Sequence, residues 1–405
     1  MRPWRRNLAL VSDAYFDHAA TTPLRPEARA AMEPVLDTVF GNPSGSHRWA
    51  REARRRLDDA RDQVAEAVGA EPGEVVFTSG GTEADNLAVT GSVAVRGGTP
   101  ICGATEHHAV LDPVKAAGGR TVGVDALGRL DLDALVDVLQ EAVAAGRAPA
   151  VVSVMTANNE TGVRQPVAEI VRLVAAHAPG TPVHTDAVAA AAWVDLPSVV
   201  GGAHMVSLSG HKVGAPKGIG ALVVRRGTRL SPLLRGGGQE HERRSGTQNV
   251  TGAVAFGAAL AATVAQREGT VRRVEALRER LAAGLRAACP HMVELSPTDP
   301  AERTAGTLQV AFPDIDREEL LFLLDDAGIG ASWGSSCTTG APAPSHVLGA
   351  MGVPAHVAKG ALRLSLGWCS TDADIDAALA AVPAAVDRLS GDRSAGATPV
   401  AGGGA

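Results

Sequence analysis

Apolar positions in the first part of the chain alternate between two patterns. Short β-branched runs that end in polar residues occur in PAVVSVMTANNETG, TPVHTDAVAAA and AHMVSLSGHK. Between such runs, apolar residues recur every three or four positions among charges, which predicts amphipathic helices over Glu52–Val68 and Ala168–Ala176. Short strands that alternate with helices are typical of a mainly parallel sheet covered by helices on both faces. We therefore expect an α/β fold.

The pattern changes at about Val254. A long helical stretch begins there, followed by a predicted strand over Thr307–Phe312, a helix over Arg317–Ala327 and a last helix over Asp372–Leu389. This order favours a second, smaller α+β domain. We divide the chain into an N-terminal arm (1–24), a large domain (25–258), a small C-terminal domain (259–390) and a tail (391–405). We expect the tail to be disordered, because it has little to bury.

The composition narrows the class of protein without naming a ligand. The chain has 405 residues, of which 45% are hydrophobic and 20% charged, and its formal net charge is −6. Such a chain has no overall basic field, so we expect no direct binding of nucleic acid. The apolar run Leu8–Val11 is too short for a signal peptide, and no stretch approaches a membrane span. We expect a cytoplasmic protein that does not bind membranes.

The four cysteines have no shared spacing. Cys102, Cys289, Cys337 and Cys369 form no CxxC pair, so we expect neither a disulfide framework nor a metal site. Three of them are read as buried apolar thiols. Cys337 differs, because it lies among serine, threonine and glycine in GSSCTTG, a composition that is typical of a mobile loop.

Three features together point to one cofactor. Lys212 follows the apolar run of SLSGHKVGAPKGIGAL, and Asp186 ends an earlier run 26 residues upstream. A Gly-Gly-Thr turn at 80–82 opens a predicted helix. Alone, these features are a surface charge, a turn residue and a helix start. Together they match pyridoxal phosphate, which requires a lysine amine, an acid for its pyridine nitrogen and backbone donors for its phosphate.

The motifs that surround these residues resemble those of a known family. They are YFDHAATTPLRPEA, GNPSGSH, VVFTSGGTEADNLA, TEHHAVL, NNETGV, HTDA, SGHKVGAPKGIGAL, GGGQEHERRSGT and GSSCTTGAPAPSHVL. In this order, from about Tyr15 to Leu389, they resemble the NifS-like cysteine desulfurases, which are fold-type I pyridoxal-phosphate enzymes. The resemblance implies a large domain with a mainly parallel seven-stranded sheet between helices. It also implies a homodimer that takes sulfur from L-cysteine, leaves L-alanine and passes the sulfur to an acceptor protein.

The resemblance also implies catalytic roles for three residues. Lys212 matches the Schiff-base lysine, whose pKa should be lowered by burial, and whose freed amine can then move protons. His107 matches the histidine that stacks on the cofactor ring. Cys337 matches the cysteine whose thiolate attacks the substrate sulfur and becomes a persulfide.

Further residues are implied to bind the cofactor and the substrate. Asp186 matches the partner of the pyridine nitrogen, and Arg363 matches the guanidinium that holds the substrate carboxylate by both oxygens. Thr247 matches a residue that the other subunit donates to the phosphate site. The implied cofactor-binding set is Gly81, Thr82, His107, Asn159, Asp186, Ser209, His211, Lys212 and Thr247, and Asn159 and Arg363 also bind the substrate.

Three positions depart from the family pattern. Ala189 stands where a glutamine usually donates a hydrogen bond to the cofactor phenolic oxygen, and a methyl group cannot donate. Trp333 precedes GSSC where a small residue is common, so we expect a narrower mouth of the site. Gln309 stands where asparagine is more usual, and the sequence offers no physical reason for this change.

The leading hypothesis is a cysteine desulfurase, and two alternatives are open. One is another reaction on the same scaffold, such as a selenocysteine lyase, a β-lyase or an aminotransferase, because a fold does not fix a reaction. The other is a non-catalytic scaffold, which the set of Lys212, Asp186 and Cys337 argues against. The acceptor is open as well: iron–sulfur cluster assembly, tRNA thiolation, cofactor synthesis and DNA sulfur modification all draw on such enzymes.

Overall fold

The strands belong to three sheets. The computed structural model describes residues 13–334 and 345–396, with side chains to residue 391. The predicted Cys337 loop therefore lies outside the described residues. The strands are β1 (Ala14–Tyr15), β2 (Val75–Thr78), β3 (Ile101–Gly103), β4 (Arg120–Val122), β5 (Val152–Ser153), β6 (Val183–Asp186), β7 (Met205–Ser209), β8 (Gly220–Val224), β9 (Val293–Glu294), β10 (Thr307–Ala311), β11 (Ile329–Gly330) and β12 (Ala361–Ser365).

The predicted seven-stranded sheet is confirmed. Its order is β2-β8-β7-β6-β5-β3-β4. The neighbours from β7 through β6, β5 and β3 to β4 pair in parallel, whereas β8 is antiparallel to β7 and to β2. All strands of this seven-stranded sheet except β8 therefore run in one direction, and their carboxyl ends lie at one edge of the sheet. In open α/β sheets that edge is where ligands bind.

Helices cover the sheet and build the second domain. They are α1 (Pro26–Thr38), α2 (Arg48–Val68), α3 (Gly81–Arg96), α4 (His108–Ala116), α5 (Leu132–Ala144), α6 (Val167–His177), α7 (Leu196–Val199), α8 (Val250–Ala288), α9 (Arg317–Asp326), α10 (His346–Ala350), α11 (Ala355–Ala358) and α12 (Asp372–Gly396). The predicted helix over Glu52–Val68 corresponds to α2, which starts one turn earlier because the His47 ring caps it.

Helix α8 connects the two hydrophobic cores. Its first half, Ala253 to Leu260, packs in the core of the large domain. Its second half, Val274 to Leu285, packs against β10, β12 and α12. The predicted boundary at residues 258 and 259 thus falls inside this helix, near the point where its buried side chains change core. By length and composition α8 could cross a membrane, contrary to the sequence expectation, but half of its apolar window is buried inside the protein.

The second domain contains a sheet of order β12-β10-β9. The first described residues of the chain also pack in this domain. Strand β1 pairs in parallel with β11, and the side chains of Ala14 and Phe16 are buried in this second core. Residues 14–16 of the predicted arm are therefore part of the small domain in three dimensions.

The predicted end of the chain is wrong in part. Helix α12 continues past the expected Leu389 to Gly396, so residues 391–396 are helical and do not belong to a disordered tail. No proline interrupts this stretch before Pro399, and each added residue extends the backbone hydrogen-bond ladder by one bond.

Candidate active site

A cavity of about 230 Å³ opens at the carboxyl edge of the large sheet. The loops after β2, β3, β5, β6 and β7 supply most of its wall. Nine of the predicted site residues line it: Gly81, Thr82, His107, Asn159, Asp186, Ser209, His211, Lys212 and Arg363. The fold therefore brings together predicted residues that lie far apart in the chain. The largest separation, between Gly81 and Arg363, is 282 positions (363 − 81).

Two predicted site residues are not in this wall. Thr247 is exposed and does not line the cavity of its own chain. Cys337 lies outside the described residues, although Gly334, just before it in sequence, lines the cavity. The roles of both residues stay predictions.

One end of the cavity is built to hold an anion. Helix α3 begins at Gly81, so the free N–H groups of its first turn and the positive end of its dipole face this end. A Cβ atom on Gly81 would lie 2.8 Å from Val188 Cγ2, so any other residue at this position would have to displace the Val188 side chain. The Ser209 hydroxyl beside it is buried and has no hydrogen-bond partner in the described part of the chain. A phosphate group would satisfy these donors.

His211 completes this end of the cavity as a neutral ring. Burial, followed by the positive charges of Lys212 and Lys217, lowers the pKa of His211 to about 4. Its Nδ1 atom lies 3.2 Å from the Thr21 hydroxyl. Near neutral pH the imidazole therefore offers one N–H donor without adding charge.

Asp186 provides a buried carboxyl group at the end of β6. Its Oδ1 atom accepts a hydrogen bond from the Val188 N–H at 2.8 Å. Burial raises the pKa of Asp186, while His107, the Val188 N–H and Lys212 act in the opposite direction. A cationic ring nitrogen placed beside this carboxyl would favour its ionised form. Asp186 therefore fits the pyridine nitrogen of pyridoxal phosphate.

Lys212 and His107 lie on turns that follow two strands of the sheet, β7 and β3, respectively. Lys212 ends a single 3₁₀ turn directly after β7, and its ammonium donates to the carbonyl oxygen of Ala19. His107 is the N-cap of α4, where its ring accepts a hydrogen bond from the Ala109 N–H at 3.1 Å. This cap fixes the ring at the wall of the cavity.

Arg363 lies on β12 and is buried, with 1% of its surface exposed. One terminal nitrogen donates to Asp17 Oδ1 at 2.6 Å, and the other donates to the Asn159 carbonyl oxygen at 3.0 Å. Its Nε atom is buried and has no partner in the described residues. A substrate carboxylate fits this unsatisfied side of the guanidinium. Asn159 thus contributes its backbone carbonyl to the position of Arg363.

The three departures from the family pattern have different outcomes. The Ala189 methyl group lines the cavity, as its position in the sequence implies. Trp333 does not line it: the guanidinium of Arg317 lies over the indole at 4.0 Å, so the expected narrowing by this ring is wrong. The Gln309 amide donates to the Trp333 carbonyl oxygen at 3.3 Å, so it helps to hold the strand that leads to the predicted cysteine loop.

A set of polar residues that the sequence did not predict lies behind the cofactor position. Asp85 lies one turn into α3, and burial followed by the nearby charge of Asp186 raises its pKa well above the usual range. The His184 ring bonds the Ser153 hydroxyl at 2.7 Å and the Ser207 hydroxyl at 2.8 Å. The signal was present in the quoted motifs, since EADN and HTDA each place a second polar residue close to a predicted one.

Taken together, the cavity offers an amine, a buried acid, an anion-binding end and an unsatisfied guanidinium. These groups match the aldehyde, ring nitrogen and phosphate of pyridoxal phosphate and the carboxylate of an amino acid. The residues present therefore fit this cofactor.

The chain is similar to known proteins over nearly its whole length. Residues 14–378 match the family described as aminotransferase class-V. An IscS-like cysteine desulfurase of Mycobacterium tuberculosis is 43% identical over 385 residues, which cover 93% of this chain and 96% of the relative. The cysteine desulfurase NifS of Azotobacter vinelandii is 41% identical over 387 residues and 94% of each chain. The solved structure of a NifS-like protein superposes with a TM-score of 0.85 at 32% identity, covering 93% of this chain and 100% of the other.

Proposed function

Because the chain belongs to the class-V aminotransferase family, and within it to the pyridoxal-phosphate-dependent cysteine desulfurases, we propose that the residues of its cavity convert L-cysteine to L-alanine and that Cys337 receives the sulfur. The observation that carries this assignment of residues is the cavity itself. It joins Lys212, Asp186 and the anion-binding end of α3 with Arg363 in a space of about 230 Å³.

The substrate enters with its carboxylate on Arg363. The Asp17 and Asn159 contacts hold the guanidinium plane in place at the wall of the cavity, and its Nε atom has no partner among the described residues. Two parallel N–H donors on one carboxylate fix the orientation of the amino acid. The amine and the thiol of cysteine then point toward Lys212 and the mouth of the cavity.

Lys212 is proposed to transfer protons, and Asp186 is proposed to stabilise the positive charge on the ring nitrogen of the cofactor. Bound pyridoxal phosphate supplies an electron sink for the bonds at the substrate carbon. Lys212 would hold the cofactor through Nζ, and its amine, when free, would accept and return protons. Asp186 keeps a positive charge on the ring nitrogen, since a buried carboxylate is stabilised by an adjacent cation.

Cys337 is proposed as the sulfur acceptor of the first half-reaction. Its thiolate attacks the sulfur of cysteine, so the bond from that sulfur to the substrate carbon breaks as the sulfur–sulfur bond forms. The electron pair of the broken bond stays with the substrate carbon, which takes up a proton and becomes the methyl group of alanine. The products are alanine and a persulfide on Cys337. A second protein then takes the outer sulfur.

We also propose a homodimer in the cytoplasm. Thr247 is exposed on its own chain and does not line the cavity of that chain. A second subunit that brings Thr247 to the phosphate end of the cavity would complete the site. The relatives named IscS and NifS support iron–sulfur cluster assembly as the pathway that receives the sulfur.

One experiment tests the proposed chemistry. Holoenzyme is mixed with L-cysteine in the absence of reductant, and alanine and protein-bound persulfide are measured over the first turnover. We expect alanine and persulfide in equal amounts, with the persulfide mass on the Cys337 peptide. Cys337→Ala should still bind cysteine, read as a change in visible absorption, but form no persulfide. Normal alanine production by this variant would refute the role of Cys337, and Cys369→Ala serves as the control thiol.

A further inference from the structure

A second, smaller cavity lies beside the cofactor cavity, between α8 and the end of β12. It encloses about 40 Å³ and shares Asn159, Ala189 and Lys212 with the cofactor cavity. Two arginines, Arg25 and Arg267, line it. None of the steps proposed above uses either arginine.

Two buried nitrogen donors belong to the wall of this cavity. Arg267 Nε and Trp368 Nε1 are inaccessible to solvent and have no hydrogen-bond partner among the described residues. A terminal nitrogen of Arg267 lies 3.4 Å from Asp195, whose side chain is 61% exposed, so this pair is weak. Guanidinium and indole nitrogens can only donate. Buried donors are nearly always paired, so an acceptor is expected in this cavity.

The positive charge of the cavity wall also favours an anionic acceptor in this cavity. Arg25 is 3% exposed, and its hydrogen bonds go to two neutral acceptors, the Val213 carbonyl oxygen at 3.2 Å and the Gln266 amide oxygen at 2.9 Å. Its guanidinium lies 4.9 Å above the Trp368 ring. Burial lowers the pKa of Arg25, although Glu27 opposes this effect, and a guanidinium stays protonated in proteins. No carboxylate belongs to the described lining of the cavity.

Water alone satisfies this wall poorly. A water molecule accepts at most two hydrogen bonds and carries no charge, whereas two guanidinium groups and an indole N–H belong to this wall. The volume exceeds the about 10–15 Å³ that one water requires, yet it is far below that of the cofactor cavity. We propose that this cavity binds one small monovalent anion of halide size, held by Arg25, Arg267 and the Trp368 N–H.

Such an anion would sit next to the reacting centre. Ala189 and Lys212 form part of both walls, so the bound charge lies across a single layer of side chains from the cofactor. A long side chain at position 189 would separate the two cavities further, whereas the methyl group of Ala189 leaves little protein between them. The anion therefore links halide concentration to the electrostatics of the catalytic lysine.

Bromide and chloride are the probes. Crystals of the holoenzyme are soaked in sodium bromide, and the anomalous signal is located. In solution, chloride binding is followed by the line broadening of its NMR signal at constant ionic strength, with bromide as competitor. We expect a bromide peak between Arg25 and Arg267 and saturable broadening that bromide reverses.

Variants separate this site from general binding of anions to the surface. Arg267→Gln should weaken halide binding by about tenfold or more, which corresponds to about 1.4 kcal/mol. Trp368→Phe, which keeps the ring under Arg25 but removes the donor, should weaken it as well. Arg229→Gln, at an exposed arginine outside this cavity, is the matched control. Ordered water without a bromide peak, or equal broadening in all variants, would overturn the proposal.

Discussion

Replacing Glu240 by glutamine tests which contacts fix the segment of residues 240–247, which ends at Thr247, to the rest of the large domain. Glu240 is 4% exposed and sits in a left-handed backbone conformation with a φ of 48°. Its two carboxylate oxygens accept from the two terminal nitrogens of Arg61 at 2.7 and 2.8 Å. The Phe77 N–H also donates to this carboxylate at 2.8 Å. This one side chain therefore joins the segment to α2 and to β2.

The expected loss follows from the number of donors that face Glu240. Glutamine has one acceptor oxygen, so whichever way the amide is turned, its NH₂ group meets an N–H of Arg61. Arg61 would then be a buried cation that has lost its carboxylate and keeps the Val75 carbonyl oxygen at 2.6 Å and at most one amide oxygen as short contacts. Removing one partner of a buried ion pair costs about 3–5 kcal/mol. With an m value of about 4 kcal/mol/M, the urea midpoint should fall by roughly 1 M.

The assay combines unfolding and cofactor binding. Urea unfolding of Glu240→Gln is compared with Glu141→Gln, which breaks an exposed pair with Arg120 and should cost about 0.2–1 kcal/mol. If the segment delivers Thr247 to the phosphate, Glu240→Gln should also release pyridoxal phosphate more readily on dialysis. A midpoint within the range of the control variant would refute the reasoning about the buried pair.

Three further predictions concern the site and its pH dependence. Ala189→Gln adds a donor that contributes about 1.5–3 kcal/mol to a charged acceptor, so the pH midpoint of the holoenzyme's visible absorption should fall by about one unit or more; an unchanged titration would show that another group already donates. Mixed dimers of Lys212→Ala and Thr247→Ala subunits should regain activity at one of their two sites, and verified heterodimers without activity would contradict a shared site. Burial, opposed by Asp374, lowers the pKa of His18 from 6.5 to about 4. Between these values the unfolded chain binds the extra proton, so stability falls with falling pH, and His18→Gln should reduce this slope by up to about 1.36 kcal/mol per pH unit; equal slopes in urea titrations would refute it.

The positions of Asp186 and Lys212 in the site could be predicted from the sequence because both follow strands that run in parallel. Asp186 and Lys212 each come directly after an apolar run, and strands that run in parallel bring such positions to one edge. Gly81 belongs to a glycine turn that by itself indicates only a helix start, and its assignment to the phosphate site comes from the family resemblance. These residues carry their signal in a few neighbouring positions, so one sequence suffices.

Other parts of the structure depend on contacts that no local pattern encodes. Strand β1 has two residues, too few to show a period, so the packing of Phe16 in the small domain could not be predicted. The ring of Trp333 faces Arg317 rather than the cavity because a distant helix supplies a cation for it. The polar group around His184 forms only when three strands and α3 are assembled.

The location of the cofactor on the chain tests the central claim most directly. The sequence contains four lysines, Lys115, Lys212, Lys217 and Lys359, so the alternatives are few. Holoenzyme is treated with borohydride, which fixes the cofactor on the lysine that holds it, and the digested peptides are identified by mass. We predict the added mass on the peptide that contains Lys212, and on no peptide from a Lys212→Ala variant. Cofactor mass on Lys115, Lys217 or Lys359 in the unaltered protein would contradict the proposed active site.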